Sequence, residues 1–300
     1  MKWFVKSGLY LALAALVGCT SVGSNTSSEW AYPPMAIPLK PTVEQQVQLA
    51  RLTQLVKRAD INDEVRAKVL YERGNYLDSV GLADLARLDF NQSLTLNPAQ
   101  PYIFNLLGVH FTQISEFDAA YEAFDSALEL DPDNAYVLRN RAIALYYGDR
   151  LPLAIADIDS NLKQTPTDTF SLLWQYFIVM ESDPELAHSQ LQSAYANRNK
   201  DWSWDIVGMV LGEISEEKAL SHIVESTTNN EELAQRLTEA YFYLAKSYHH
   251  QKDYSTAIAL YKRSLALNVY DYIEHRFSFT ELGRIYQAVQ ENKSQATAKN

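Results

Sequence analysis

Several kinds of residue are scarce in this 300-residue chain, and each scarcity excludes something. There is one cysteine, so neither an intrachain disulfide framework nor a thiolate-rich zinc site can be built. Gly 10 and Pro 10 make 20 of 300 residues, about 7% where roughly 12% is usual. An all-β sandwich or barrel needs a breaker roughly every 8–12 residues, so long helices with short connections fit better. Basic residues are also few. Against 37 Asp+Glu stand 26 Lys+Arg, a formal charge of -11, which argues against nucleic acid as the main partner because phosphate binding needs a basic surface. What the chain does have is 47% hydrophobic residues, ample for a core.

The chain opens Met1-Lys2-Trp3-Phe4-Val5-Lys6, two lysines and no acid, followed by the apolar run Leu9 to Val17 and then Gly18-Cys19. A basic segment and a short apolar run describe a secretory signal peptide over 1–18; the run is too short to span a bilayer. Leu16-Val17-Gly18-Cys19 resembles the bacterial lipobox, which implies lipidation of Cys19 and cleavage before it. Cleavage removes Lys2 and Lys6 and no acid, leaving 24 basic against 37 acidic residues and a net charge near -13. So acidic a body is not held electrostatically by an anionic membrane, and acyl chains must hold it. Thr20 rather than Asp follows the cysteine; by resemblance to lipoprotein sorting this points to the outer membrane, facing the periplasm. Residues 19–40, small and polar and then rich in proline (Pro33, Pro34, Pro38), read as the lipidated N-terminus and a flexible tether spanning roughly 25 Å as a coil.

A repeat begins at residue 67. Asn97-Pro98, Asp131-Pro132 and Thr165-Pro166 lie 34 residues apart. Aligning 67–100, 101–134 and 135–168 superposes Gly74, Gly108 and Ala142, then Ala86, Ala120 and Ala154, and the bulky set Phe90, Phe124 and Ile158. This resembles the tetratricopeptide (TPR) pattern of two antiparallel helices per repeat. Small residues at the eighth and twentieth positions let the helices approach, and bulky ones fill the gaps. Asn161, where Ser93 and Ala127 stand in the other repeats, predicts looser or redirected packing there. A fourth match covers 238–271, with Tyr241, Ala245, Ala257 and Tyr261. Between them, 169–237 reads as degenerate helical hairpins, with helix starts at Asp168, Asp183-Pro184-Glu185, Ser215 and Asn229. A C-terminal helix covers 272–290 and a polar tail 291–300.

Ahead of the repeats, 41–66 reads as an N-terminal helix with Thr42 as N-cap and Gln45 completing a capping box. Its apolar stripe, Val47, Ala50, Leu52 and Leu55, either caps the first repeat or packs on a second copy as a two-fold dimer.

Residues for chemistry are not assembled in this sequence. No two of the six histidines stand at i, i+4, and no nucleophile elbow or phosphate-binding loop occurs. The expectation is a protein that is not an enzyme and holds no metal or cofactor. Glu274-His275-Arg276 reads as a solvated or interface segment. TPR arrays bind through the concave face lined by first helices, at positions 2, 5, 9 and 12. Here these are Lys68, Tyr71, Asn75 and Asp78; Tyr102, Asn105, Val109 and Thr112; Tyr136, Arg139, Ile143 and Tyr146. Tyrosine, asparagine and arginine together suit a peptide, although the tyrosines could equally pack against neighbouring helices.

With lipobox, tether and repeats in one chain, the sequence is similar to the TPR-repeat lipoproteins of the Gram-negative outer membrane. Leu70-Tyr71-Glu72-Arg73-Gly74, Phe117 to Ser126, Ala144 to Gly148, Trp202 to Val207 and Glu274-His275-Arg276 carry the likeness. The resemblance implies an all-helical, homodimeric, lipid-anchored adaptor. It would link peptidoglycan hydrolases to a periplasmic tail-specific protease during growth and cell division. The alternative is a TPR lipoprotein that assembles outer-membrane proteins or pili.

Overall fold

The computed structural model describes residues 33–298, with side chains to 294; the leader, Cys19 and residues 19–32 of the expected tether lie outside the described residues. Within them the chain is all-helical, an all-α TPR-type solenoid with no strand. The helix α1 (Val43–Val56) precedes three hairpins: α2 (Asp63–Ser79) with α3 (Ala83–Leu96), α4 (Pro101–Gln113) with α5 (Phe117–Leu130), and α6 (Ala135–Tyr147) with α7 (Leu151–Gln164). Then come α8 (Thr169–Met180), α9 (Pro184–Ala196), α10 (Trp204–Leu211) and α11 (Glu216–Glu225). A last pair, α12 (Asn230–His250) and α13 (Tyr254–Ala266), is followed by α14 (Ile273–Ala298).

The period has a steric cause. A Cβ built on Gly74 would lie 2.5 Å from the Phe90 ring, and one on Gly108 2.6 Å from Phe124. The small residue at position 8 thus makes room for the bulky one at position 24. Where position 8 grows to alanine, in Ala142 and Ala245, its companions Ile158 and Tyr261 are still fully buried. Ala86, Ala120, Ala154 and Ala257, at position 20, are all 0% exposed. The turn between paired helices takes one left-handed residue at position 15: Gly81, Ser115, Asp149 and Lys252, with φ of 83°, 63°, 59° and 64°. At positions 7 and 23, Arg73 grips Asp89 and Arg141 grips Asp157 with two bonds each. The second repeat replaces that pair with buried Leu107 and Ala123.

Three expectations are corrected. Asn161 does not loosen the third repeat. It is 2% exposed, and its amide donates to the Ala135 carbonyl at 2.8 Å, the same position-27 to position-1 bond that Ser93 makes to Ala67 and Ser264 makes to Thr238. The fourth repeat opens inside α12, an unbroken helix in which residues 237–246 are all buried. This stretch is buried on every side, Glu239 and Lys246 included, and runs through the middle of the coiled array. Residues 33–40 are extended but not free. Ala36 is buried, Tyr241 donates its hydroxyl to the Pro34 carbonyl, Asn230 bonds both the N–H and the C=O of Ile37, and the Leu39 N–H donates to Leu267 at 3.0 Å. This strap ties α1 to α12 and α13. Finally, α14 continues to Ala298 rather than ending near 290.

The core centres on Trp174, 0% exposed. Rings of Tyr146, Tyr147, Phe242, Tyr243 and Phe277 have centroids 5.8–6.3 Å from it, the spacing of tilted and edge-to-face aromatic pairs. Helices α6, α8, α12 and α14 therefore meet in one aromatic cluster.

Candidate functional site

The twelve concave-face positions divide by depth along the helices. At position 2, Lys68 is exposed, Tyr102 is 46% exposed and Tyr136 69%. At position 5, Tyr71, Asn105 and Arg139 are half-buried. Tyr71 meets Tyr102 with ring centroids 4.5 Å apart, and Arg139 pairs with Asp168 at 3.1 Å while lying 5.5 Å from the Tyr136 ring. Asn105 accepts from the Asn140 amide at 3.0 Å. Deeper, Asn75 is half-buried, and Val109, Ile143, Asp78, Thr112 and Tyr146 are buried. Asp78 and Thr112 are therefore not groove-lining contacts open to a partner, as the repeat positions suggested, and Tyr146 keeps only 6% of its surface exposed.

What covers the deep end is α14. Arg276 forms a buried ion pair with Asp78 of α2. Phe277 packs on the Tyr147 ring of α6 at 5.2 Å. Glu281 accepts from Tyr147 at 2.9 Å and from Lys246, and contacts His249 Nδ1 at 2.8 Å. Thr112 spends its hydroxyl on the Gly108 carbonyl at 2.7 Å. The open part of the groove is the rim formed by Lys68, Tyr71, Tyr102 and Tyr136.

The charges on α14 are tuned by this burial. Burial pushes the Glu281 carboxyl up, but Lys246, the His249 bond and Arg284 outweigh it and hold it well below the carboxylate range. Burial raises Glu274, although a bond from Tyr243 opposes the shift. Glu239, buried beside Glu274, is raised further. Burial lowers His275 to about 4, so it is neutral and donates from Nε2 to the Leu265 carbonyl at 3.2 Å. Glu274-His275-Arg276 is therefore neither a solvated segment nor an external interface, but the internal seam that seats α14. Alternating charge and aromatic residues, Glu274-His275-Arg276-Phe277 then Glu281, were the available signal. A helix that is charged on its buried face escapes a search for apolar stripes.

The stripe of α1 splits in two. Leu52 is 5% exposed and Leu55 half-buried on the side that packs α2, which is the capping role. Val47, 59% exposed, and Ala50 face out together with Val43, 77% exposed. Beside them a hollow of about 350 Å³ between α1 and α3 is lined by Leu49, Leu77, Leu85 and Leu88. Among the described residues, no three His, Cys, Asp or Glu side chains are placed to hold a metal ion, and no helix is long and apolar enough to cross a membrane.

Two segments match tetratricopeptide repeat models: residues 105–169 and 238–268. Among solved structures, the chain is similar to a tetratricopeptide repeat protein from Parabacteroides merdae, at 14% identity with TM-score 0.51, covering 79% of this chain and 92% of that one. It is also similar to the Cut9–Hcn1 assembly of APC/C, at 18% identity and TM-score 0.44, over 75% of this chain and 45% of that one. A third is pilF of Pseudomonas aeruginosa, at 15% identity and TM-score 0.40, over 78% and 97%. At such identities the first likeness speaks to the fold alone, and the lower scores add no argument. The chain thus carries tetratricopeptide repeats over residues 105–169 and 238–268 within an all-helical solenoid fold.

Proposed function

We propose that this chain is a lipid-anchored TPR adaptor of the Gram-negative outer membrane, of the NlpI type, with no catalysis of its own. In this reading Cys19 carries the acyl chains and the solenoid faces the periplasm as a homodimer. It brings peptidoglycan hydrolases to a tail-specific protease and so regulates wall degradation during growth and division. The observation that carries the reading is the conjunction, in one chain, of Leu16-Val17-Gly18-Cys19 with an in-phase 34-residue array. Two surfaces support it: the tyrosine rim of the groove, and the outward Val43, Val47 and Ala50 of α1 for a second copy.

Reconstitution tests it. Purified chain, mixed with a periplasmic tail-specific protease and a peptidoglycan hydrolase, is expected to accelerate loss of the hydrolase while cleaving neither peptide nor glycan alone. Cys19→Ser is expected to move the protein from the membrane to the soluble fraction. Unchanged degradation, or recovery of outer-membrane or pilus assembly subunits in place of protease and hydrolase from solubilised envelopes, would contradict the adaptor role.

A further inference from the structure

One cavity stands apart by its charge. Between α6, α8, the α12–α13 turn and α14 lies a pocket of about 270 Å³. Tyr146, Phe177 and Tyr254 wall it, and Lys246, Lys252 and Arg284 bring positive charge. Two carboxylates also line it, and both are engaged. Glu281 is taken by Tyr147, Lys246 and His249, and Glu181 accepts the Tyr146 hydroxyl at 3.2 Å. Three cations against two acids leave a positive pocket in a chain of formal charge -11.

Two cationic side chains of this pocket bear on what it could hold. Arg284 helps hold the Glu281 carboxylate charged and bonds the Tyr146 hydroxyl, but its Nη1 is buried without a hydrogen-bond partner. Its guanidinium lies 5.1 and 5.4 Å from the Tyr146 and Tyr147 ring centres, which fixes the fork, while the side chain as a whole is only half-buried. A guanidinium nitrogen out of water and without a partner is suited to a carboxylate oxygen. The second is Lys252. It stands at the left-handed turn position that Gly81, Ser115 and Asp149 occupy in the other repeats. Lys252 is exposed at the pocket with no ion pair among the described residues.

We propose that this pocket binds a carboxylate carried by a peptide, gripped by Arg284 and Lys252, with the residue bearing it packed on Tyr146, Phe177 and Tyr254. The proposal rests on the protein-binding reading above. The carboxylate belongs either to a chain terminus or to an acidic side chain; the pocket recognises the chemistry they share.

Ligand-observed saturation-transfer NMR on the intact chain separates the cases, with N-acetylphenylalanine, its amide, the α-amide of N-acetylglutamate and inorganic phosphate as probes. At least one of the two carboxylates is expected to bind saturably, and the phenylalanine amide at least tenfold more weakly than the better one. The stronger of the two carboxylates tells chain end from side chain. Arg284→Gln and Lys252→Gly are each expected to weaken binding about fivefold. Lys252→Gly should also raise Tm, so its loss of binding cannot be unfolding. Saturable binding of neither carboxylate, equal binding of the amide, binding of phosphate alone, or unchanged affinity in both variants would overturn the proposal. A chain that loses the carboxylate through Arg284→Gln yet still accelerates hydrolase loss leaves the adaptor reading standing, so the two fail separately.

Discussion

Single residues set the repeat, and their effects are separable. Gly108 is glycine because the Phe124 ring occupies the space of its Cβ; Gly108→Ala is expected to cost about 1–3 kcal/mol, read as a lower midpoint in urea. Ser115, left-handed at φ 63°, gains from losing its Cβ, so Ser115→Gly should stabilise by about 0.5–1 kcal/mol in the same assay. Buried Glu239 and Glu274 titrate above the ordinary carboxylate range in the fold. The folded state thus binds their protons more tightly than the unfolded chain does. Their contribution is complete below the unfolded value and is lost as pH rises through the raised ones. Glu239→Gln is therefore expected to raise Tm at about pH 7.5, with the gain shrinking toward pH 4; a gain that grows in acid would contradict this assignment. Glu281 has the opposite sign. Its depressed value stabilises the fold above the unfolded pKa and is lost in strong acid.

At the scale of elements, the hairpins were legible in the sequence because their determinants are local. The capping box of Thr42 and Gln45 forms on α1, Asp183 and Ser215 cap α9 and α11, and Gly212 ends α10 in the left-handed region. What could not be read was the placement of α14. Asp78, Thr112 and Tyr146 fit an open groove as well as a filled one, since polar residues suit both a ligand and a buried partner. Only Arg276, 198 residues from Asp78, decides between them, and no local spacing records that distance. The strap was hidden for a related reason: Pro33, Pro34 and Pro38 announce an extended chain but not the surface it lies on. A buried ion pair specifies geometry more than it stabilises. Arg276→Met alone should cost about 3–5 kcal/mol by stranding Asp78, whereas Asp78→Leu with Arg276→Met should recover most of that loss. A thermodynamic cycle from chemical denaturation checks it; additive losses would mean the two residues do not meet.

For the whole molecule, the solenoid closes on itself, the strap joining α1 to α12 and α13 while α14 joins α2, α6 and α12. The concave face is thereby open at its rim, and the outward face of α1 and the cationic pocket are the other surfaces proposed for partners. Val47, exposed where Leu52 is not, separates the two roles of α1. Val47→Glu should convert a dimer to a monomer by light scattering with little change in Tm, and an unchanged mass would exclude this face. The central claim is that the deep half of the concave groove is filled by the chain's own last helix. Amide hydrogen exchange of the intact chain, followed by mass spectrometry, tests it most directly. Residues 273–285 should be protected as long as α6, with faster exchange confined to 291–298. Exchange across 273–285 as fast as in 291–298, while α6 stays protected, would show an open groove and contradict the account.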